Sequence, residues 1–179
     1  NFTMSFKIMD NTGLALSGGA ARGIAHIGVL RALEEHKIPI KFISGTSVGA
    51  IIAALYAFDI ELDEIGRFAK SLNLSKVSSF KLSKYGLFDN HNLKDLLCEY
   101  IGDSRIEDSK LPLAIIATDI SSGEKVILKS GSVCDAVCAS SAIPGLFAPV
   151  IIDNQSLVDG GLVQNLPVSV LKEMGADYL

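Results

Sequence analysis

The order of elements along the chain predicts an α/β protein in which a central, mostly parallel sheet is covered by helices on both faces, a three-layer α/β/α arrangement. Two observations carry this expectation. Short apolar runs of strand length alternate with longer stretches of helical period, as where Gly13-Leu14-Ala15-Leu16-Ser17 is followed by apolar positions at Ile24, Ile27, Val29, Leu30 and Leu33. Small-residue loops stand where a strand gives way to a helix, at Ser17 to Gly23 and again at Gly45 to Gly49.

Taken in order, residues 13–17 read as a short buried strand, and residues 22–36 as a helix that Pro39 closes. Residues 41–46 form the next strand and 48–58 the helix behind it. Residues 61–72 have helical period with acidic residues in the first turn, which suits the helix dipole. His91 reads as part of a helix N-terminus. Strands are expected at 113–118, 125–128, 150–152 and 157–158, a helix at 133–140, and a last helix opened by Pro167 at its favoured first turn. Ala176 to Leu179 has the character of a strand opening. Segment 71–90 fits no clean period; its Phe80, Leu82, Tyr85, Leu87 and Phe88 beside Lys76, Lys81 and Lys84 suit either an interfacial lip facing anionic lipid headgroups or a packed surface loop.

Length and composition set the bounds. With 179 residues, 49% of them apolar and 20% charged, the expectation is one globular domain over 1–179, truncated at its C-terminal end. A net charge of −4 gives no reason to expect nucleic acid as a partner. The longest apolar run, 50–58, falls well short of the ~20 residues that span a bilayer, and the N-terminus lacks the order of a secretory signal. The expected location is therefore cytoplasmic or peripheral to a membrane. Cys98, Cys134 and Cys138 fit a reducing compartment better than a disulfide framework, with Cys134 and Cys138 sharing a packed helix face.

Gly45-Thr46-Ser47-Val48-Gly49 has the spacing of a nucleophile elbow, in which glycines two residues either side of the serine let strand and helix approach. The same pentapeptide also suits a tight turn whose Ser47 merely caps the helix. Upstream, Ser17-Gly18-Gly19-Ala20-Ala21-Arg22-Gly23 presents consecutive backbone N–H groups at a helix start. That serves an oxyanion hole, a phosphate loop or a structural turn. It lacks the Gly-Lys-Ser/Thr of a Walker loop, and Ala20 breaks the dinucleotide fingerprint.

A nucleophilic serine needs a base, and the three histidines, His26, His36 and His91, all precede the acidic candidates, so the order Ser, Asp/Glu, His cannot be built. Asp159-Gly160-Gly161 supplies a carboxylate on a turn expected to need unusual backbone angles. It would take the Ser47 proton directly and return it to the leaving alcohol, unless it is an ordinary Asp-Gly turn.

These motifs, in this order, resemble the patatin-like phospholipases, lipid acyl hydrolases that work with a Ser-Asp dyad. Gly18 to Gly23 looks like the family's oxyanion loop, Gly45 to Gly49 like its elbow and Asp159-Gly160-Gly161 like its D-G-A/G motif. Ala139-Ser140-Ser141-Ala142-Ile143-Pro144-Gly145 and Asn165-Leu166-Pro167 resemble further family blocks. The resemblance implies Ser47 as nucleophile, Asp159 as general base and acid, and an oxyanion hole from Gly18, Gly19 and Ala20. Arg22, Gly23, Gly45, Gly49, Gly160 and Gly161 would support it, Arg22 by bracing the loop or by meeting a lipid phosphate. It implies a phospholipid or lysophospholipid ester as substrate, transient contact with a membrane surface, and no metal or cofactor. Ala20 stands where the family has glycine, a modest change because the hole uses backbone groups. The rival readings are a noncatalytic lipid- or acyl-binding regulator on the same fold and a phosphate- or nucleotide-binding module.

Overall fold

The computed structural model describes residues 11–72 and 91–179. Segment 71–90, beyond Leu72, lies outside the described residues.

Six strands form one mixed sheet. Strands β1 (Gly13–Leu16), β2 (Phe42–Thr46) and β3 (Leu113–Asp119) are parallel, with Leu16 opposite Gly45 and Thr46 opposite Ile116. The other three are antiparallel to their neighbours: β4 (Lys125–Leu128) to β3, β5 (Val150–Ile152) to β6 (Gln155–Asp159), and β6 to β3. Connection length explains the mixture. Parallel pairing needs a crossover of a dozen or more residues, and the helices before β2 and β3 supply one, whereas β5 and β6 are joined by Asp153 and Asn154 alone. Both of these residues have positive φ, 48° and 64°, the requirement of a two-residue hairpin turn that matches strand twist.

The helices are α1 (Ile24–Glu35), α2 (Val48–Ala57), α3 (Leu62–Ser71), α4 (His91–Ile101), α5 (Val133–Ser140) and the short α6 (Val168–Glu173). Strand β3 is buried along its whole length, and its alternating side chains separate the layers. Leu113, Ile115 and Ala117 join the main core with α1 to α5, while Ala114 and Ile116 meet Val170 of α6 on the opposite face. Helix α2 is apolar nearly all round and buried from Gly49 to Leu55, as a helix enclosed between sheet and other helices must be. Helix α3 is amphipathic, burying Leu62, Ile65 and Phe68, and the Phe68 ring meets Tyr100 of α4 edge-on with centroids 5.4 Å apart.

Element limits agree with the sequence reading to within a few residues. Residues 20–23 form a separate 3-10 turn ahead of α1, and two of the apolar positions that mark the helix, Ile24 and Val29, are exposed. Tyr178 bridges Thr12 in parallel fashion, beside β1. Cys134 and Cys138 are buried on α5 as expected, and Cys98 of α4 lies beside them, its Sγ 2.9 Å from that of Cys134; none of the three forms a disulfide among the described residues. Burial, followed by the hydrogen bond to Cys98, pushes the Cys134 thiol well above its ordinary range. Ser44 on β2 is fully buried, and its hydroxyl donates to the Pro167 carbonyl at 3.1 Å.

Candidate active site

Strand pairing on β3 decides what can meet what. Ile115 and Ile116 pair with both β2 and β4, and Ala117 and Thr118 pair with both β4 and β6. A strand has two edges, so β4 takes one, and β2 and β6 share the other, end to end. Because β2 is parallel to β3 and β6 antiparallel, their carboxyl ends face each other. Thr46 lies opposite Ile116 and Asp159 opposite Ala117, successive positions about 3.3 Å apart along β3. Ser47 leaves the sheet at this junction, and the Asp159 turn leaves it from the other side.

Ser47 carries φ 54° and ψ −125°, a backbone conformation that L residues rarely adopt. The flanking glycines are there for space. A Cβ on Gly45 would lie 2.4 Å from the Gly49 carbonyl oxygen, and one on Gly49 would lie 2.2 Å from that of Leu16. Gly23 is packed as tightly, with Val48 Cγ2 2.5 Å from where its Cβ would stand. No side chain caps α2, and the backbone donors from Ala50 onward are the first to find the Ser47 carbonyl. The N-terminus of this helix therefore faces the serine.

Asp159 is 8% exposed and ends β6. One carboxylate oxygen accepts the Gly161 N–H at 2.7 Å, and its own N–H donates to the Ala142 carbonyl at 2.9 Å. No hydrogen bond joins Asp159 to Ser47 Oγ among the described residues. Gly160 and Gly161 form a 3-10 turn and neither has positive φ, so the expectation of unusual backbone angles is corrected. The constraint is again space: a Cβ on Gly160 would lie 2.2 Å from the Ile116 carbonyl oxygen, and one on Gly161 2.9 Å from Asp159 Oδ1.

The glycine loop reaches the same place. A Cβ on Gly18 would stand 3.2 Å from Ser47 Cβ and 2.6 Å from Asn165 Oδ1. The same Asn165 oxygen lies 3.3 Å from the corresponding point on Gly161. Asn165 thus stands between the loop, the serine and the aspartate turn, and its carbonyl accepts the Gly18 N–H at 3.2 Å. The Gly18 N–H, expected in the oxyanion hole, thus already has a partner. Arg22 is exposed and makes no ion pair among the described residues.

Two contributors escaped the sequence reading. His26 places Nε2 2.9 Å from the Ser17 carbonyl oxygen and ties α1 to the start of the glycine loop. Ser140 hydrogen-bonds the Ser47 N–H at 2.9 Å. Nothing local to the Ala139 to Gly145 block marks Ser140 as a partner of a residue so distant in sequence. Beside this cluster, Ser141 Oγ and Gln164 Oε1 are buried without a hydrogen-bond partner among the described residues.

The sequence profile of the patatin-like phospholipases matches residues 14–172. An uncharacterized NTE family protein of Mycobacterium tuberculosis is 36% identical over 167 residues, covering 92% of this chain and 46% of that protein. Lysophospholipase nte1 of Emericella nidulans is 37% identical over 181 residues, covering 93% of this chain and 11% of the fungal protein. The chain thus spans less than half the length of these relatives. In fold it is similar to VipD from Legionella pneumophila, with a TM-score of 0.65 at 20% identity over 88% of this chain and 47% of VipD. It is also similar to ExoU, a type III effector, with a TM-score of 0.56 at 22% identity over 76% of this chain and 41% of ExoU. At these identities the likeness concerns the fold alone.

Proposed function

Since the chain belongs to the patatin-like phospholipase family, we propose that it carries the site of a serine lipid acyl hydrolase acting on phospholipid or lysophospholipid esters. The observation that supports this most is the head-to-head meeting of β2 and β6 on one edge of β3, which delivers a strained Ser47 and a nearly buried Asp159 to one point beside a glycine loop. The names of relatives such as lysophospholipase nte1 favour a lipid ester over other acyl substrates.

In the proposed reaction Ser47 Oγ attacks the acyl carbonyl while the Asp159 carboxylate takes its proton. The oxygen bonded to the Gly161 N–H fixes the plane of that carboxylate, leaving the other oxygen to receive the proton. Catalytic contacts of this kind tighten when substrate binds. The Gly19 and Ala20 N–H groups and the N-terminus of α2 stabilise the developing oxyanion. Asp159 then protonates the leaving alcohol, and water activated by the same carboxylate releases the fatty acid. The scheme uses no metal or cofactor. The ester reaches the site through transient contact with a membrane surface, and nucleic acid has no part. Among the described residues no helix is long and apolar enough to cross a membrane.

Fatty acid release from lysophosphatidylcholine, measured in EDTA, tests the assignment. The expected result is turnover by the unmodified chain and a loss of about 10³-fold or more in both Ser47→Ala and Asp159→Asn. Undiminished hydrolysis by folded Ser47→Ala protein would contradict it.

A further inference from the structure

Ser140, the last residue of α5, is completely buried, and its hydroxyl serves two backbone groups, one on β3 and one in the turn between β2 and α2. It accepts the Ser47 N–H at 2.9 Å and donates to the Ile116 carbonyl at 2.5 Å. Two residues further on, the Ala142 carbonyl accepts the Asp159 N–H at 2.9 Å. One short stretch of chain therefore grips both Ser47 and Asp159 by their amides, on either side of the β2–β6 junction.

We propose that segment 140–142 is a bracket that fixes the spacing of Ser47 and Asp159, with Ser140 as the positioning residue for the nucleophile. Its catalytic consequence rests on the hydrolase activity proposed above; its geometry does not. A serine at φ 54° keeps that conformation only where its surroundings over-determine it. At Ser47 those surroundings are the two glycine contacts below and the Ser140 hydroxyl at its amide. Removing the hydroxyl leaves the part-buried Ser47 N–H and the buried Ile116 carbonyl each without that partner, and a buried polar group without a partner is costly. The elbow shifts to satisfy them and carries Ser47 Oγ away from the acyl carbon. Ser140 touches no reacting atom, so the loss falls on kcat and leaves KM nearly unchanged.

The comparison variant is Ser44→Ala, which also removes a fully buried hydroxyl from a backbone carbonyl but leaves the Ser47 amide alone. In Ser140→Ala, kcat for lysophosphatidylcholine is expected to fall about 10- to 100-fold, the scale set by a displacement of about 1 Å. KM should stay within about threefold, and Ser44→Ala should lose no more than about threefold in kcat. Equal kcat losses in the two variants would overturn the proposal and reduce Ser140 to a packing residue. Amide exchange at Ser47 gives a readout that needs no turnover. Exchange about tenfold faster or more in Ser140→Ala, and unchanged in Ser44→Ala, supports the bracket; equal exchange in both overturns it. A chain that hydrolyses no lipid would remove the proposed activity, and the bracket would still be decided by exchange.

Discussion

Ser47 shows how much of the site is a question of room at single atoms. Its backbone holds φ 54° and ψ −125°, and the residues two positions to either side, Gly45 and Gly49, are glycines because backbone already occupies the points where their Cβ atoms would stand. Gly49→Ala would set a methyl 2.2 Å from the Leu16 carbonyl oxygen and 2.7 Å from that of Ser17, against main chain that cannot swing aside. The expected cost is about 3 kcal/mol or more. Gly28 in the middle of α1 meets nothing within 4 Å, and Gly28→Ala should stabilise by about 0.5–1 kcal/mol through helix propensity. Urea unfolding of the two variants checks both signs, and equal effects would show that close approach is not what Gly49 supplies.

The same scale explains what the sequence disclosed about the site. Gly45, Ser47, Gly49 and the Asp159-Gly160-Gly161 run were legible because their spacing falls within single turns and can be read along the chain, although the atom that leaves no room at Gly49 is the Leu16 carbonyl oxygen of another strand. The reason for Gly160 was not, since the atom that forbids a side chain there belongs to Ile116 on another strand. Ser140, His26 and the engaged N–H of Gly18 escaped for the same reason, their partners being distant in sequence. A serine at a helix end and a histidine on a helix look ordinary until the fold brings another strand beside them.

At the scale of elements, apolar period was enough to find α1, α2, α3 and α5 and the strands β1 to β5 near their limits. Strand β6 was read as two residues and is five, because Gln155 and Ser156 hold their places through hairpin pairing with β5, independent of apolar character. Apolar runs also carry no direction. That β6 runs against β3 and abuts β2 follows from the Asp153-Asn154 turn and the register on β3. This reversal brings the carboxyl end of an antiparallel strand to the carboxyl end of a parallel one. Two residues 112 positions apart in sequence thereby become neighbours on one strand edge.

Across the whole molecule, the amino ends of β2 and β3 border a second, unrelated feature. A cleft of about 640 Å³ opens beside Ile40 and Leu111, lined also by Glu34, Tyr56 and Asp59, away from the β2–β6 junction. Burial, with the Glu34 carboxylate adding to it, pushes Tyr56 up to about 12 from an ordinary 10.0. The folded protein thus keeps this proton where the unfolded chain has lost it. The contribution to stability is complete below pH ~10 and is lost as pH rises toward about 12. Unfolding free energy should therefore decline more steeply over that interval in the unmodified protein than in Tyr56→Phe. Matching slopes would show that Tyr56 titrates alike in both states.

The central claim is that Ser47 is a nucleophile activated by Asp159, and covalent capture tests it most directly. The protein is incubated with a long-chain alkyl fluorophosphonate, and the modified residue is located by mass spectrometry of its peptides. The account predicts one adduct per chain, on Ser47, forming at least about 10²-fold more slowly in folded Asp159→Asn protein. Labelling of another serine, or an Asp159→Asn rate equal to that of the unmodified protein, would contradict it.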